Sequence, residues 1–267
     1  MAYVSTKINP LLLPTSCQYL TLLYMPRDSK TLGIVIRTEK IRDKDKQLSI
    51  LTPDDGIINV LLFGAQKSMK AVKVSLYSEG IFSLYQKRAG GLYSLKDADI
   101  LTAHDFILDD LDKISVSSLF SELVIKSRCS DGNVYKLFAE AIDSLEFIEH
   151  RRVAVAFVLK YLGISGLLGD FEYCPSCGRM YRMDEVLGFS SYLSVAVCQD
   201  CDTMGKQLIL PPNARAYISR ILELPFQDSI KLGISDAQLS RVYRYVLRTL
   251  EHCFPSDLET LRSGLLV

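Results

Sequence analysis

Histidine is scarce in this chain. Only His104, His150 and His252 occur among its 267 residues, and no H-E-x-x-H run or Ser/His/Asp set can be read from them. That removes zincin proteases and triad hydrolases, and leaves each histidine as a surface or internally satisfied helical residue. A phosphate-binding loop is missing as well: Gly64-Ala65-Gln66-Lys67-Ser68 ends in Lys-Ser, but the first phosphate-binding glycine and its spacing are absent. The acidic run Asp109-Asp110-Leu111-Asp112 reads as a solvated helix start rather than a divalent-ion site. No catalytic constellation emerges, so an enzyme is not expected. Net charge is zero, with 31 basic and 31 acidic residues, and whole-chain charge decides nothing about nucleic acid. No apolar run approaches the roughly 20 residues of a membrane span. Tryptophan is absent, which excludes nothing.

Cysteine is present in an odd number, seven, which argues against a secreted disulfide framework. Leu11–Met25 is mildly apolar but interrupted by Pro14 and Gln18. It lacks a basic start and a small-residue cleavage site, so it does not read as a signal peptide. The expected compartment is the cytoplasm. Cys17, Cys129 and Cys253 lie in apolar surroundings and read as small core residues. The other four form the pattern Cys174-Pro175-Ser176-Cys177-Gly178 and Cys198-Gln199-Asp200-Cys201. A C-x-x-C turn curls round an ion and offers two thiolates from one side. Two such turns, brought together by the β-prone segment Val186–Val197, supply the four soft ligands that zinc takes at tetrahedral corners. Four cysteines leave no open coordination position, so Zn2+ here is expected to be structural. Two metal-free pairs, or a redox C-x-x-C, are the competing readings.

The chain divides by pattern into an α+β multidomain protein. Residues 1–30 hold no periodicity for long and read as a poorly packed extension, with Met25 as an alternative start. Residues 31–103 read as β. Leu32–Thr38 is rich in branched residues, Gln47–Thr52 alternates, Pro53-Asp54-Asp55-Gly56 is a turn, Ile57–Phe63 is apolar, Ile81–Lys87 alternates, and Leu92–Leu95 follows Ala89-Gly90-Gly91. Five short strands without βαβ crossovers suggest a small closed barrel of OB-fold type. Residues 104–170 are helical, with apolar positions recurring at three and four, and Val153–Leu162 buried on all sides. Residues 171–205 hold the ribbon. Residues 206–267 return to helix, started by Pro211-Pro212 and later capped by Ser235 with Gln238.

Charge is uneven along the chain. Residues 31–88 carry ten basic and six acidic side chains, and residues 89–170 carry eight and thirteen. Arg37, Lys40, Arg42, Lys44 and Lys46 cluster in the first hairpin, and Lys67, Lys70 and Lys73 in a later loop. Tyr77, Tyr85 and Tyr93 lie nearby. Small barrels bind single strands by pairing a cationic groove with aromatic stacking platforms. Lysines that protect a sheet edge explain the same composition. Arg37, Lys44, Lys46, Lys67, Lys70 and Lys73 are the candidate phosphate contacts. Arg241, Arg244 and Arg248 recur at three and four on the last long helix and form the alternative set.

Several stretches, in order, resemble the bacterial recombination mediator family RecO. They are Leu32–Thr38, the turn Leu51–Gly56, the loop Phe63–Ser68, the stretch Leu92–Ile100, and Phe157–Gly163 followed by Cys174-x-x-Cys177-Gly178. The resemblance spans about residues 31–265. Gln66 departs from that family's loop, where a basic residue is common, and Gly163-Ile164-Ser165-Gly166 replaces its G-Y-x-P. The resemblance implies a non-catalytic DNA repair and recombination protein, active in the cytoplasm at the nucleoid. It would bind single- and double-stranded DNA, anneal complementary strands, work with RecR, bind the acidic tail of single-stranded DNA-binding protein and help load RecA. A zinc-ribbon scaffold acting mainly through protein contacts is the competing class. A ribbon-bearing nuclease would need a carboxylate cluster that cannot be found.

The reading of the N-terminus has a direct test. A chain begun at Met25 is expected to keep the melting temperature of the full chain, and a large drop would mark residues 1–24 as packed.

Overall fold

The computed structural model describes residues 28–41, 45–63, 74–88, 91–127, 130–205, 209–254 and 258–266. Strands β1 (Asp28–Lys40), β2 (Lys46–Thr52), β3 (Gly56–Leu62), β4 (Glu79–Gln86) and β5 (Tyr93–Thr102) close into a barrel of order β1-β2-β3-β5-β4. All pairs are antiparallel except β3 with β5. β1 serves two partners. Its first half pairs with β4 and its second half with β2, and the register shifts between Val35 and Arg37 where one partner hands over to the other. A bulge bends a strand at such a point, which is what closure of so small a barrel needs. At Gly80 a Cβ would stand 2.4 Å from the Asp99 carbonyl oxygen, so only glycine lets β4 and β5 approach this closely. The β2–β3 turn follows the expected Pro53–Gly56 chemistry: Gly56 has φ +64, and Thr52 Oγ1 accepts from the Asp55 amide while donating to the Gly56 carbonyl.

Val35, Leu48, Ile50, Val60, Leu62, Phe82 and Leu84 fill the barrel. Ile34, Ile36, Leu51 and Tyr77 point the other way and join the core of the helical part. β1 and β2 are thus buried on both faces at their centres, which is why Ile34-Val35-Ile36 and Ile50-Leu51 read as continuous apolar runs rather than alternations. Two expectations shift. β1 begins at Asp28, with Asp28, Ser29 and Lys30 paired to β4 residues Tyr85, Leu84 and Ser83. Strand structure therefore starts inside the stretch read as an extension, and residues 1–27 lie outside the described ones. The fifth strand is longer than Leu92–Leu95, because β4 offers it a full-length antiparallel partner.

The helices are α1 (Leu111–Ser127), α2 (Gly132–Ser144), α3 (His150–Ile164), α4 (Pro212–Glu223), α5 (Phe226–Ser229), α6 (Asp236–Cys253) and α7 (Glu259–Arg262). Asp110 caps α1 by accepting from the amides of Asp112 and Lys113. Asp131 caps α2 by accepting from Asn133 and Val134, and Ser235 caps α6 by accepting from Gln238. Each cap satisfies orphan amides of a first turn. α3 is the axis: Val153–Leu159, Tyr161 and Leu162 are buried around its whole circumference, and α1, α2, α4 and α6 pack on it. Phe157 stacks on Phe120 at 3.9 Å and on Tyr161 at 5.7 Å between ring centroids. Between α3 and α4 sit β6 (Gly188–Ser190) and β7 (Val195–Val197), a two-stranded sheet with every residue buried.

His104 ties the barrel to the helices. Its ring is buried, with Nδ1 2.8 Å from the Tyr77 carbonyl oxygen and Nε2 2.6 Å from Asp143 Oδ1. A carbonyl and an ionised carboxylate only accept, so the charged imidazole, donating from both ring nitrogens, is the form these two contacts favour. Burial pulls its pKa down, but the bond to Asp143, the Tyr77 carbonyl and the charges of Asp143 and Glu79 outweigh burial, and the net direction is up from 6.5. Beside it, Tyr135 of α2 donates to Glu79 of β4 at 2.7 Å.

This joint sets a pH dependence. A histidine with a raised folded-state pKa contributes its full stability below the unfolded value near 6.5, and loses it as pH rises through the folded value. His104→Ala is expected to cost roughly 1–3 kcal/mol at pH 6. Denaturant titrations of both proteins should converge as pH climbs above that window. A gap that stays constant with pH would show that the ring is neutral in the fold.

Candidate metal centre and nucleic-acid interface

The ribbon folds from two knuckles on the small sheet. In the first, the Cys174 amide donates to the Arg179 carbonyl and the Gly178 amide to the Cys174 carbonyl, each at 2.8 Å. A bridge between Tyr173 and Met180 closes its base. In the second, the Cys201 amide donates to the Cys198 carbonyl at 3.0 Å. β6 and β7 bring the knuckles together, and a bridge between Leu187 and Leu210 ties the sheet to the chain that leads into α4.

The four sulfurs of Cys174, Cys177, Cys198 and Cys201 lie within 4.8 Å of one another. Four thiolates at about 2.3 Å from one ion stand about 3.8 Å apart at tetrahedral corners, and the Cys177 and Cys198 sulfurs are 3.8 Å apart. The donor set therefore fits a tetrahedral metal. Burial pushes the Cys174 thiol up, but the amides of Cys198, Cys177 and Ser176 pull it lower, so its net pKa falls. A ready thiolate is the form a metal needs. Around the sulfurs, the Arg179 guanidinium grips Glu185 with two bonds of 2.9 and 2.6 Å and places its charge toward Cys198. The fork holds the Glu185 carboxyl down at about 2. Arg179 and Glu185 carried no sequence signal beyond the nearness of Arg179 to the first knuckle. The three histidines stay away from this site: His104 is in the joint, His252 packs on Phe189, and His150 faces Asp112. Cys253 is half-buried, and Cys17 and Cys129 lie outside the described residues.

The candidate phosphate contacts are only partly visible. Arg37 is exposed on β1 and pairs with Glu39. Lys46 is half-buried at the start of β2, opposite Lys40. Lys44, Lys67, Lys70 and Lys73 lie outside the described residues. Of the three tyrosines, Tyr77 is no stacking platform. It is 1% exposed and its hydroxyl meets Ser118 of α1, because it lies where the barrel meets the helices. Tyr85 is half-exposed, with Lys96 Nζ 4.8 Å over its ring. Tyr93 packs partly on the barrel core.

Arg241, Arg244 and Arg248 all emerge on the exposed face of α6, as spacing at three and four requires. They line a groove of about 790 Å³ between α6, α1, α3 and the C-terminal residues. Val116, Tyr243, Leu247 and Leu266 form apolar parts of its wall, Arg151 adds to the cationic lining, and His150, Asp112 and Glu251 complete the polar part. Arg248 is held by Glu251 at 2.6 Å, and Arg151 donates to Ser240 at 3.0 Å. Arg151 escaped the sequence reading because it lies some ninety positions from the residues it joins.

Two family models divide the chain between them. The model for the recombination protein O N terminal matches residues 25–104, and the model for the recombination protein O C terminal matches residues 108–261. The chain belongs to the recombination protein O (RecO) family of DNA repair proteins. It is 27% identical over 247 residues to the DNA repair protein RecO of Clostridium perfringens, covering 86% of this chain and 96% of that one. It is 28% identical over 183 residues to RecO of Clostridium novyi, covering 66% and 70%. It is 27% identical over 238 residues to RecO of Caldanaerobacter subterraneus subsp. tengcongensis, covering 85% and 95%. Among the described residues, no helix is long and apolar enough to cross a membrane.

In this RecO-family chain, elemental analysis is expected to find about one zinc ion per molecule, since four thiolates suit zinc. Cys174→Ser should lose the ion and lower the melting temperature, because metal binding and ribbon folding are coupled. A metal-free wild type with an unchanged fold would refute the metal centre.

Proposed function

We propose that this protein is a non-catalytic mediator of DNA repair and homologous recombination, working in the cytoplasm at the nucleoid. It binds single- and double-stranded DNA, anneals complementary strands, and acts with RecR to load RecA. Membership in a DNA repair family supports the reading. The observation that carries it is the arginine-lined groove on α6, where Arg241 and Arg244 project beside an apolar floor. Phosphodiester backbone needs cations but no apolar floor. An acidic peptide with apolar side chains uses both. We therefore assign the acidic tail of single-stranded DNA-binding protein to this groove, and DNA phosphates to the barrel cations Arg37, Lys44, Lys46, Lys67, Lys70 and Lys73. Zinc in the ribbon is structural, holding the knuckles on the helical core without touching substrate. DNA affinity of this kind is independent of sequence and falls with salt through counterion release.

Charge reversal at Lys67, Lys70 and Lys73 together should flatten the salt dependence of single-strand binding, by roughly 0.7 in slope per lost contact. Reversal at Arg241 and Arg244 should weaken a fluorescent acidic-tail peptide by on the order of tenfold or more and leave the DNA slope unchanged. The opposite pattern would put DNA in the α6 groove. Absence of DNA binding at any salt, with peptide binding kept, would favour the scaffold reading.

A further inference from the structure

The four sulfurs of the ribbon are not equivalent. Cys174 and Cys198 are 0% exposed. Cys174 accepts from the backbone amide of Cys198 at 3.5 Å. The Arg179 guanidinium, which Glu185 holds in place, sets its positive charge toward Cys198. Cys201 is half-buried. Cys177 alone is exposed. A metal-bound thiolate that donors grip is a weaker nucleophile, and one that solvent reaches is open to attack.

From this asymmetry we infer that Cys177 is a modification site, where peroxides and soft electrophiles attack the centre first and release its metal. With hydrogen peroxide, the Cys177 thiolate attacks one oxygen. An S–O bond forms, the O–O bond breaks, and hydroxide leaves. Cys198 Sγ, 3.8 Å away, then attacks the sulfenic sulfur. An S–S bond forms, the S–O bond breaks, and a second hydroxide leaves. Two thiolates lose two electrons, peroxide gains them, and two protons from solvent complete two waters. Two sulfurs remain, too few to hold the ion.

The rest of the ribbon tolerates this opening. All six residues of β6 and β7 are buried, and Phe189 packs edge-on against Tyr245 of α6 at 5.9 Å. The hydrophobic back of the ribbon is thus anchored independently of the ion, while the first knuckle depends on it. Release should loosen residues 174–178 and leave the helical core intact. An oxidant would act on this DNA repair protein through that knuckle.

The inference rests on the metal-centre reading, and one experiment separates the two. Full-length protein is first assayed for zinc. It is then treated with limiting iodoacetamide and, separately, hydrogen peroxide, while a chromogenic chelator follows zinc and mass spectrometry maps each cysteine. Cys17, Cys129 and Cys253 are counted apart. The expected result is alkylation of Cys177 by iodoacetamide at least about fivefold ahead of Cys174, Cys198 and Cys201, and with peroxide a Cys177–Cys198 disulfide ahead of any other oxidised cysteine of the four. Zinc release should track either reaction one for one, with the helical circular dichroism unchanged. Protein isolated without metal would remove the metal centre and this inference together. Protein with metal whose label falls first on another ligand, or evenly on all four, would overturn this inference alone.

Discussion

The middle of helix α3 meets water on no side, with Val153–Leu159, Tyr161 and Leu162 buried. Its residues from Val153 to Leu162 are apolar apart from Lys160, whose ammonium reaches the Leu224 carbonyl at the end of α4. A helix of that kind must be wrapped, and the wrapping is the architecture. α1, α2, α4 and α6 surround it, the buried sheet of the ribbon leans on α6 through Phe189, and the outer faces of β1 and β2 supply Ile34, Ile36 and Leu51 to the same continuous core. Each fully buried Val, Leu or Phe contributes about 1.5–3 kcal/mol against leaving it exposed. That sum, set against chain entropy, explains why barrel, helices and ribbon form one body rather than three beads.

The polar interactions act as locators within that body. His104 with Asp143, and Tyr135 with Glu79, set the angle at which the barrel sits. Glu122 of α1 receives the amides of Glu259 and Thr260 and holds the C-terminal turn beside the α6 groove. In the ribbon the Arg179–Glu185 fork plays the same part for Cys198. Hydrogen bonds to charged groups in partly dry surroundings are directional and costly to leave half-made. They fix geometry where apolar packing alone would allow sliding.

Most surface charge adds little to stability. Exposed pairs such as Arg37–Glu39 and Arg220–Glu223 contribute little. The arginines of α6 form a row because a helix repeats its faces, and the row becomes a groove because α1, the start of α3 and the C-terminal residues wall it, with Val116, Leu265 and Leu266 among the apolar groups. Cations beside apolar side chains can discriminate among acidic partners. A bare cationic surface attracts all of them.

The metal set was legible from sequence because C-x-x-C spacing is a local property: a turn presents its two sulfurs whatever the rest of the chain does. The barrel strands, the Ser235 cap, the Pro211-Pro212 helix start and the shared face of Arg241, Arg244 and Arg248 were legible for the same reason, each following from neighbours within a turn or a hairpin. What tertiary structure alone decided are the meetings of distant segments. Tyr77 could not be known as a buried joint residue, since its neighbours Ser118 and His104 arrive from other elements. His104 could not be known as charged without Asp143 and the Tyr77 carbonyl on either side. Asp28–Lys30 became strand only because β4 offered them partners. The unequal exposure of four identical cysteines depends on how β6 and β7 tuck two of them under the core, and burial is a property of the packed body, not of the chain.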